Sequence, residues 1–488
     1  MSRAPSHPRA STRRLSPRRL TGWGALGLAC ACAGAFIGWR ANAQDAVGTW
    51  AITNATVVVG DGSAPVEGGT VVVRGGKVVA AGAGVAVPAG AQVIDGTGKW
   101  VTPGIVATMT DLGLLDVDGV SETNDYTKGS GPFSAALDAA PGINPAAQPI
   151  AVSRTGGVTR AAVVPAAGGS IFAGQGAVID LGADPSAITA ARVFQYVELG
   201  ETGATLAGGS RLTSHALLRN ALREARDYGR SGGDPQNGQL RGGARAQADP
   251  GDDIPLDPRM AQTGGNRDDD VLLTRFDVAA LVPVVSGRQP LYVKADRASD
   301  IRAVLALRRE FPALRLVLVG AAEGWLAASE IAAAGVPVIA SGLVDLPGSF
   351  EQLAATQSNI GRMTAAGVRV AIGNLRDNDQ PRYAPQYAGN LVALSRVPGA
   401  SGLSWGQAFA AISSIPAEIL GMGSRFGSLR AGRTGDVVLW DGDPLELSSA
   451  PVAVWIDGVA QPLDNHQTRL RERYRSASEG DLPKAYDW

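Results

Sequence analysis

Between residues 276 and 372 the sequence alternates short apolar runs with segments of helical periodicity, and this alternation constrains the fold more than any other feature. The predicted order is helix 276–285, strand 291–295, helix 300–311, strand 314–319, helix 325–334, strand 336–339, helix 350–367 and strand 368–372. Strands that alternate with helices of about ten residues form parallel β–α units. Four such units in succession favour a (β/α)8 TIM-like barrel over a short doubly wound sheet, which makes the predicted fold class α/β.

Both ends of the chain have a different, β-rich texture. Short β-branched runs separated by glycine turns occupy residues 51–95, and a similar pattern returns between residues 427 and 459. Strands at this spacing are typical of a small antiparallel unit. A β unit on each side of a barrel predicts that the two chain ends join in space as one small β-sandwich.

The predicted domain division follows from these changes of texture. It comprises a signal peptide at 1–43, the N-terminal portion of the β-sandwich at 44–104, the barrel at 105–426, the C-terminal portion of the β-sandwich at 427–465 and a C-terminal tail at 466–488. Residues 230–270 are rich in Gly, Asp, Gln, Arg and Pro and have few aromatic or β-branched residues, so we expect a mobile surface insertion there.

The N-terminus predicts export. The first 43 residues hold seven arginines and no acid, and an apolar run at 22–38 leads to Ala41-Asn42-Ala43, a pattern typical of a signal-peptidase site. The run is shorter than the roughly 20 residues of a spanning helix, which argues against a stable membrane anchor. Paired arginines at 13–14 and 18–19 are compatible with twin-arginine export, although the general secretory route stays open. We expect a periplasmic or secreted protein.

Removal of this segment changes both the charge and the cysteine content. The remaining chain is acidic, which argues against nucleic acid as a partner. Cys30 and Cys32 are the two cysteines of the chain, and both lie in the exported segment. The mature protein would therefore have no disulfide, thiolate metal site or cysteine nucleophile.

Two motifs point to a family. An apolar strand runs from Thr102-Pro103-Gly104 to a polar end at Asp111, and residues 427–445 read Gly-x-Leu, x-x-Gly, x-x-Gly-Asp, an apolar strand, then Asp-Gly-Asp-Pro. With the predicted architecture, these motifs resemble the imidazolonepropionase-like branch of the amidohydrolase superfamily over most of residues 46–475. The resemblance implies a hydrolase of carbon–nitrogen, non-peptide bonds that acts on cyclic amides or small peptides.

The same resemblance implies a site with one or two divalent metals, which activate water for hydrolysis. Family enzymes hold them with His-x-His on the first barrel strand, Lys or Glu on the fourth, histidines on the fifth and sixth, and an aspartate on the eighth. This sequence has other residues at the corresponding positions: Ala107, Met109 and Asp111 on the first strand, Lys294 on the fifth, Trp325 near the sixth, and Leu375 on the eighth. A shift of two residues in the last alignment would bring Asp377 to the aspartate position.

The histidine count agrees with this loss. The chain has His7, His215 and His466, and none is predicted to end a barrel strand. Zinc sites need several imidazole or carboxylate ligands around one point. We therefore expect a degenerate metal site, no cofactor, and weak or no hydrolytic activity.

Several roles stay open for the candidate pocket residues. Three alternatives stay open for Asp111 and Lys294. They form an ion pair that fills the former metal position, they act as a catalytic acid–lysine pair without metal, or they are simply exposed to solvent. Met109 is predicted to pack in the core. A weak oxygen site for Ca or Mg built from acidic loop residues is the alternative to their simple solvation: Glu122, Asp125, Asp377 and Asp379.

Three functions follow from these interpretations. The first is an exported amidohydrolase-superfamily protein with a degenerate site. The second is a non-catalytic subunit, either a homo-oligomer or a complex with an intact amidohydrolase paralogue, that retains a ligand in the old pocket. The third is a metal-independent enzyme that uses Asp111 and Lys294.

Overall fold

The computed structural model describes residues 48–127, 131–230, 272–376 and 380–475. The predicted signal peptide, His7, both cysteines, Asp377, Asp379 and nearly all of the predicted 230–270 insertion lie outside the described residues. Within them the chain forms one eight-stranded barrel sheet and a second eight-stranded sheet.

The barrel sheet begins at the Pro-Gly turn and ends before the second chain end. Its strands are β6 (Ile105–Thr110), β7 (Val158–Val163), β8 (Phe172–Asp180), β9 (Ile188–Glu198), β10 (Leu291–Ala295), β11 (Leu316–Gly320), β12 (Val338–Ala340) and β13 (Val370–Ile372). They lie side by side in chain order, and neighbours are parallel except that β8 is antiparallel to β7 and β9. The predicted α/β barrel is confirmed, with one β–α unit replaced by the β8–β9 hairpin.

The hairpin has a local cause. Residues 181–187 read Leu-Gly-Ala-Asp-Pro-Ser-Ala, a turn sequence far too short for the crossover that parallel strands need. The strand β9 was not predicted, because its first half is largely exposed and lacks an apolar run; only Phe194 to Val197 are continuously buried.

Two kinds of contact join the edge strands β6 and β13. Near the mouth, the Asn374 N–H donates to the Thr108 carbonyl at 3.0 Å. Lower down, the turn at residues 411–412 is inserted between the strands and accepts the N–H groups of Ile372 and Val106, both at 2.9 Å. Gly373 permits the close approach, since a Cβ there would clash with the Thr108 hydroxyl and with Ile339.

Helices cover the outside of the barrel and one end of its interior. They are α1 (Gln148–Thr155), α2 (Gly200–Leu206), α3 (Arg211–Arg230), α4 (Arg275–Val285), α5 (Ala298–Glu310), α6 (Ala328–Ala334), α7 (Asn359–Ala365), α8 (Ala384–Leu394), α9 (Trp405–Ala410), α10 (Ser414–Ile419) and α11 (His466–Arg473). The predicted helix at 350–367 is instead a 3-10 turn, Phe350–Gln352, followed by α7. Among the described helices, none is long and apolar enough to cross a membrane.

The lower barrel interior is a packed apolar core. Met109 is fully buried there, as predicted, with Val106 and Val319. The rings of Phe194 and Tyr292 stack with centroids 4.1 Å apart. Residues of α10 close the bottom of this core, and the carboxyl ends of the strands, where barrel enzymes place their active sites, lie at the opposite end.

The second sheet joins the two chain ends, as predicted. Its strands are β1 (Thr49–Val57), β2 (Val66–Arg74), β3 (Lys77–Gly82), β4 (Gln92–Asp95), β5 (Trp100–Pro103), β14 (Val437–Trp440), β15 (Pro451–Ile456) and β16 (Val459–Ala460). The junction is the antiparallel pair β5–β14, in which Trp100 faces Trp440 and Pro103 faces Val437.

A buried ion cluster connects this sheet to the base of the barrel. Arg160 of β7 donates two hydrogen bonds to Asp436, at 2.8 and 3.0 Å, and one to Asp457 at 2.6 Å. Asp180 of β8 lies 3.7 Å away. The aspartate of the C-terminal motif is therefore a structural partner of a barrel arginine.

Candidate functional site at the barrel mouth

Irregular backbone shapes the mouth. Left-handed backbone occurs near the carboxyl ends of β6, β11 and β13. The φ angle is 58° at Met109, 49° at Ala321 and 61° at Asn374. Such conformations are costly for non-glycine residues and concentrate at functional sites. The β6–β7 ladder shifts register between Ala107 and Thr110, and the Met109 carbonyl in this irregular stretch accepts a bond from a side chain.

Arg376 supplies that bond and is the central cation of the mouth. Its Nε donates to the Met109 carbonyl at 2.9 Å, and its Nη1 donates to the Tyr126 hydroxyl at 2.6 Å. The guanidinium carbon lies 5.4 Å from the ring centroids of both Tyr126 and Tyr196, within the range of cation–π attraction. The Nη2 atom is buried and has no hydrogen-bond partner in the described part of the chain.

Tyr196 and Glu198 lie on β9 and point toward this cation. The Tyr196 hydroxyl donates to Glu198 Oε1 at 2.5 Å. Burial and the neighbouring Glu198 carboxylate raise the pKa of Tyr196 well above its ordinary value. Burial alone would lower the pKa of Arg376, but the two tyrosines, Glu198 and Asp111 outweigh it and raise that pKa, so the guanidinium stays charged.

Lys294, at the end of β10, forms its ion pair with Asp296. A left-handed glycine, Gly320, leaves room for the pair, since a Cβ there would clash with both side chains. Burial favours the neutral amine, yet Asp296, with Glu198 and Glu351 further away, raises the pKa of Lys294. The pairing anticipated between Lys294 and Asp111 is therefore not the ion pair of this lysine.

A second set of ion pairs fixes the rim beside the mouth. Glu351 accepts hydrogen bonds from the Glu201 N–H at 2.7 Å and from Arg211 at 3.0 Å. Arg211 also donates to Asp300 at 3.1 Å, and His215 lies 3.3 Å from the same carboxylate. His215 is thus a structural partner on α3 and does not reach a strand end.

The other residues that the sequence analysis aligned with the family's metal site make structural contacts. Trp325 donates its indole N–H to the Ala354 carbonyl at 2.8 Å and stacks under Arg362 at 4.4 Å. Leu375 is buried in the layer between barrel and helices. Asp111 is 9% exposed at the end of β6.

The mouth is a mixed-charge network, which we call the mouth cluster. Its members are Asp111, Tyr126, Tyr196, Glu198, Lys294, Asp296 and Arg376. Among the described residues, no group of three or more His, Cys, Asp and Glu lies together in a way that could hold a metal ion. Glu122 is exposed in the loop between β6 and α1.

Five of the seven members of the mouth cluster were not predicted from the sequence. Arg376 directly follows the position aligned with the family aspartate, and Asp296 lies two residues after Lys294, so a search along the strand ends for charged residues would have found both. Glu198 and Tyr196 were hidden because β9 was not predicted. Tyr126 reaches the mouth through the path of a long loop, for which the sequence carries no signal.

Comparison with known proteins identifies relatives of this chain. The model of an amidohydrolase family matches residues 287–460. Amidohydrolase tasK of Hapsidospora irregularis is 28% identical over 396 residues, which cover 77% of this chain and 37% of the relative. The chain thus spans little more than a third of the length of this relative.

Solved structures share the fold. An amidohydrolase from Thermotoga maritima superposes with a TM-score of 0.68 at 23% identity, covering 84% of this chain and 98% of that one. An adenosine deaminase from Xanthomonas campestris with bound zinc gives a TM-score of 0.43 at 17% identity, covering 87% of this chain and 97% of that one.

The expectation of no cofactor is wrong. The match to an amidohydrolase family overturns it. A divalent metal is the cofactor that the family relationship implies. The described side chains of the mouth do not fit such an ion, because no group of three or more His, Cys, Asp and Glu lies together among them and the cation Arg376 would repel it.

Proposed function

We propose that this chain, which belongs to the amidohydrolase superfamily, is an exported member with a degenerate metal site and weak hydrolytic activity toward carbon–nitrogen bonds. The observation that carries the proposal is the position of Arg376. Its guanidinium is bonded to the carbonyl of Met109, at the strand position where the family places the first metal-binding histidine.

The consequence concerns water activation. A metal ion lowers the pKa of bound water so that hydroxide exists near neutral pH. A guanidinium attracts negative charge but has no open coordination position and does not generate hydroxide. Carboxylates are present in Glu198 and Asp296, but Tyr196 and Lys294 already occupy them. Any divalent ion would have to bind without the histidines that the family uses.

Hydrolysis assays test this proposal. The purified protein, with added Zn²⁺ and separately with excess chelator, is incubated with a hydantoin and with a dipeptide. We expect turnover far below the roughly 1–1000 s⁻¹ of ordinary enzymes in both conditions. Turnover in that range would contradict a degenerate site. Two variants show whether such turnover comes from the mouth: it should be lost in Arg376→Met and kept in Arg362→Met. The second variant is the control, because it removes a stacked guanidinium outside the mouth cluster.

Export is supported by the sequence pattern of the first 43 residues. N-terminal sequencing of protein from the periplasmic fraction or the medium should begin at Gln44, directly after Ala43. A mature protein that starts at residue 1 and stays in the cytoplasm would contradict this aspect of the proposal.

A non-catalytic subunit is the second candidate. It is favoured by the loop between β12 and α7, where Leu346, Phe350 and Leu353 are 78%, 83% and 66% exposed beside the rim. Contiguous exposed apolar side chains often mark protein contacts. Light scattering of the wild type and of Phe350→Asp distinguishes the cases, since a monomeric wild type without a co-purifying paralogue would count against a subunit role.

A further inference from the structure

We propose that residues 114–127, which we call the strap, form a movable cover over the barrel mouth, and that a hydrogen bond between Tyr126 and Arg376 latches this cover in the closed position. This role is separate from the proposed function, because it concerns access to the mouth and not the chemistry there.

The mouth cluster is closed to solvent in this structure. Tyr196, Asp296 and Asp111 are 1%, 2% and 9% exposed, although they lie near the carboxyl ends of the strands, where barrel enzymes receive their ligands. A ligand of any class therefore reaches these side chains only after part of the covering structure moves.

The strap is packed like a segment that can move. None of residues 115–127 is buried, whereas the preceding residues 105–114 are all buried. Val117 and Val120 are 49% and 41% exposed, so these apolar side chains contribute little to packing. Segments with few buried contacts open locally at a low cost in free energy, which makes the strap the element that would uncover the mouth.

Internal hydrogen bonds hold the strap together. The Asp125 N–H donates to the Leu114 carbonyl at 2.8 Å, which brings the two ends of the strap close to each other. Between them, the Thr123 hydroxyl donates to the Val117 carbonyl at 3.0 Å. Compact surface loops with close ends and contacts of their own frequently carry function. The strap can therefore swing as one unit about the point where its ends meet.

Tyr126 connects the strap to the barrel. Its hydroxyl accepts a hydrogen bond from Arg376 Nη1 at 2.6 Å, and its carbonyl accepts one from the Ala166 N–H, after β7, at 2.9 Å. The first bond involves a charged donor, and such bonds are roughly twice as strong as neutral ones. A further bond, from the Gln148 N–H to Asp116 at 2.9 Å, is exposed to water, which competes for both groups. The bond to Arg376 is therefore the latch.

Hydrogen exchange of the purified protein tests the latch. Tyr126→Phe keeps the ring and removes the hydroxyl, so the Ala166 amide should exchange about tenfold faster or more, as expected for the loss of one hydrogen bond to a charged group. Tyr383→Phe is the matched control, because it removes a tyrosine hydroxyl that accepts from Arg382 Nη2 at 3.0 Å outside the mouth cluster. The control should exchange like the wild type at Ala166.

Carbodiimide labelling of Asp111 reports on access to the mouth itself. Asp111 is buried at the end of β6, directly before the strap, and should be labelled slowly in the wild type. Tyr126→Phe should be labelled at Asp111 about tenfold faster, since the same opening uncovers it. Glu67, exposed on β2, is the internal reference and should be labelled at one rate in all samples.

Three outcomes would overturn the inference: unchanged exchange at Ala166 in a folded Tyr126→Phe, unchanged labelling of Asp111 in that variant, or an equal change in Tyr383→Phe. Near-ultraviolet circular dichroism establishes that each variant is folded. Tyr126→Leu, which removes the ring as well, should open the strap at least as much and keeps the test valid if the phenylalanine variant is not folded.

Turnover of a hydantoin and a dipeptide, measured in the same samples, separates the two proposals. Rapid turnover in Tyr126→Phe with faster exchange would contradict weak hydrolysis and leave the latch intact. Weak turnover with unchanged exchange would contradict the latch and leave the proposed function intact.

Discussion

At the residue scale, the mouth is a network of ion pairs and hydrogen bonds between charged and aromatic side chains. A metal centre concentrates positive charge at one point and requires neutral or anionic ligands around it. Here positive charge is spread over two side chains, Arg376 and Lys294, and each lies near carboxylates of the same cluster. Ion pairs between side chains of the cluster thus connect the strand ends.

Lys294→Met tests the strength of this order. The substitution leaves Asp296 with its bonds from the Ala322 N–H and from Gln352 but without its counter-charge in a nearly fully buried position. We expect a loss of about 3–5 kcal/mol in the free energy of unfolding, as for other broken buried pairs. Urea denaturation measures it, with Lys77→Met, at an exposed lysine of β3, as the matched control.

A loss below about 1 kcal/mol would show that the pair behaves like an exposed one. The double variant Lys294→Met, Asp296→Asn should recover some of the stability, because it removes the unpaired charge. Failure to recover any of it would mean that the lysine stem, rather than its charge, stabilises the strand end.

The sequence predicted that Asp111 and Lys294 lie at strand ends, but not which side chains surround them. Met109 was predicted correctly to lie in the core, because an apolar side chain on a barrel strand is stabilised by burial. Arg376 and Asp296 were within reach of a search along the strand ends. Tyr126 was not, since its position depends on the course of the loop after β6, which local sequence does not determine.

At the element scale, strands with continuous apolar runs were predictable and the hairpin was not. The predicted strand 291–295 coincides with β10, because a short apolar run between two helical segments is typical of a buried parallel strand. Four of its five residues are buried. β9 escaped prediction because only its second half is buried, and the antiparallel course of β8 follows from a turn of seven residues. The rim after β12 was predicted as helix from residue 350, but it is a 3-10 turn and loop that Glu351, Gln352 and Ala354 connect to neighbouring elements by hydrogen bonds. Glu351 contributes a buried carboxylate to these contacts.

That carboxylate, Glu351, makes the rim sensitive to pH. Burial and the nearby Asp296 raise its pKa above the ordinary 4.5. The folded protein therefore keeps the proton at pH values where the unfolded chain has lost it, so this group makes the free energy of unfolding fall as pH rises from 4.5 through the raised pKa. Glu351→Gln should remove this contribution.

Urea denaturation of the wild type and of Glu351→Gln at a series of pH values measures the effect. The difference in stability should shift in favour of the glutamine variant as pH rises across that window and then become constant. A shift in the opposite direction would mean that the Arg211 ion pair outweighs burial and that the pKa of Glu351 is lowered. Exposed Glu67→Gln is the control and should show no such trend.

At the scale of the whole molecule, the second sheet and the barrel are joined through one arginine. Arg160 reaches from β7 to Asp436 and Asp457, which bracket strands β14 and β15. The sequence motif around Asp436 predicted the return of the chain to the sheet, but not the partner of the aspartate, because the two residues are 276 positions apart. Long-range pairings of this kind are set by topology, which the local pattern around either residue does not contain.

Arg160→Met tests whether this cluster couples the sheet to the barrel. It leaves Asp436, which is 3% exposed, without its bidentate partner, and a loss of about 3–5 kcal/mol is expected. Hydrogen exchange should locate the effect: amides of β14 and β15 should lose protection before those of β10 and β11, because the sheet is released while the apolar barrel core persists. Arg192→Met, at a side chain 65% exposed, is the matched control. Equal loss of protection in both sheets would instead mean that barrel and sheet unfold as one cooperative unit, and that Arg160 contributes to the stability of the whole chain rather than to a separable joint.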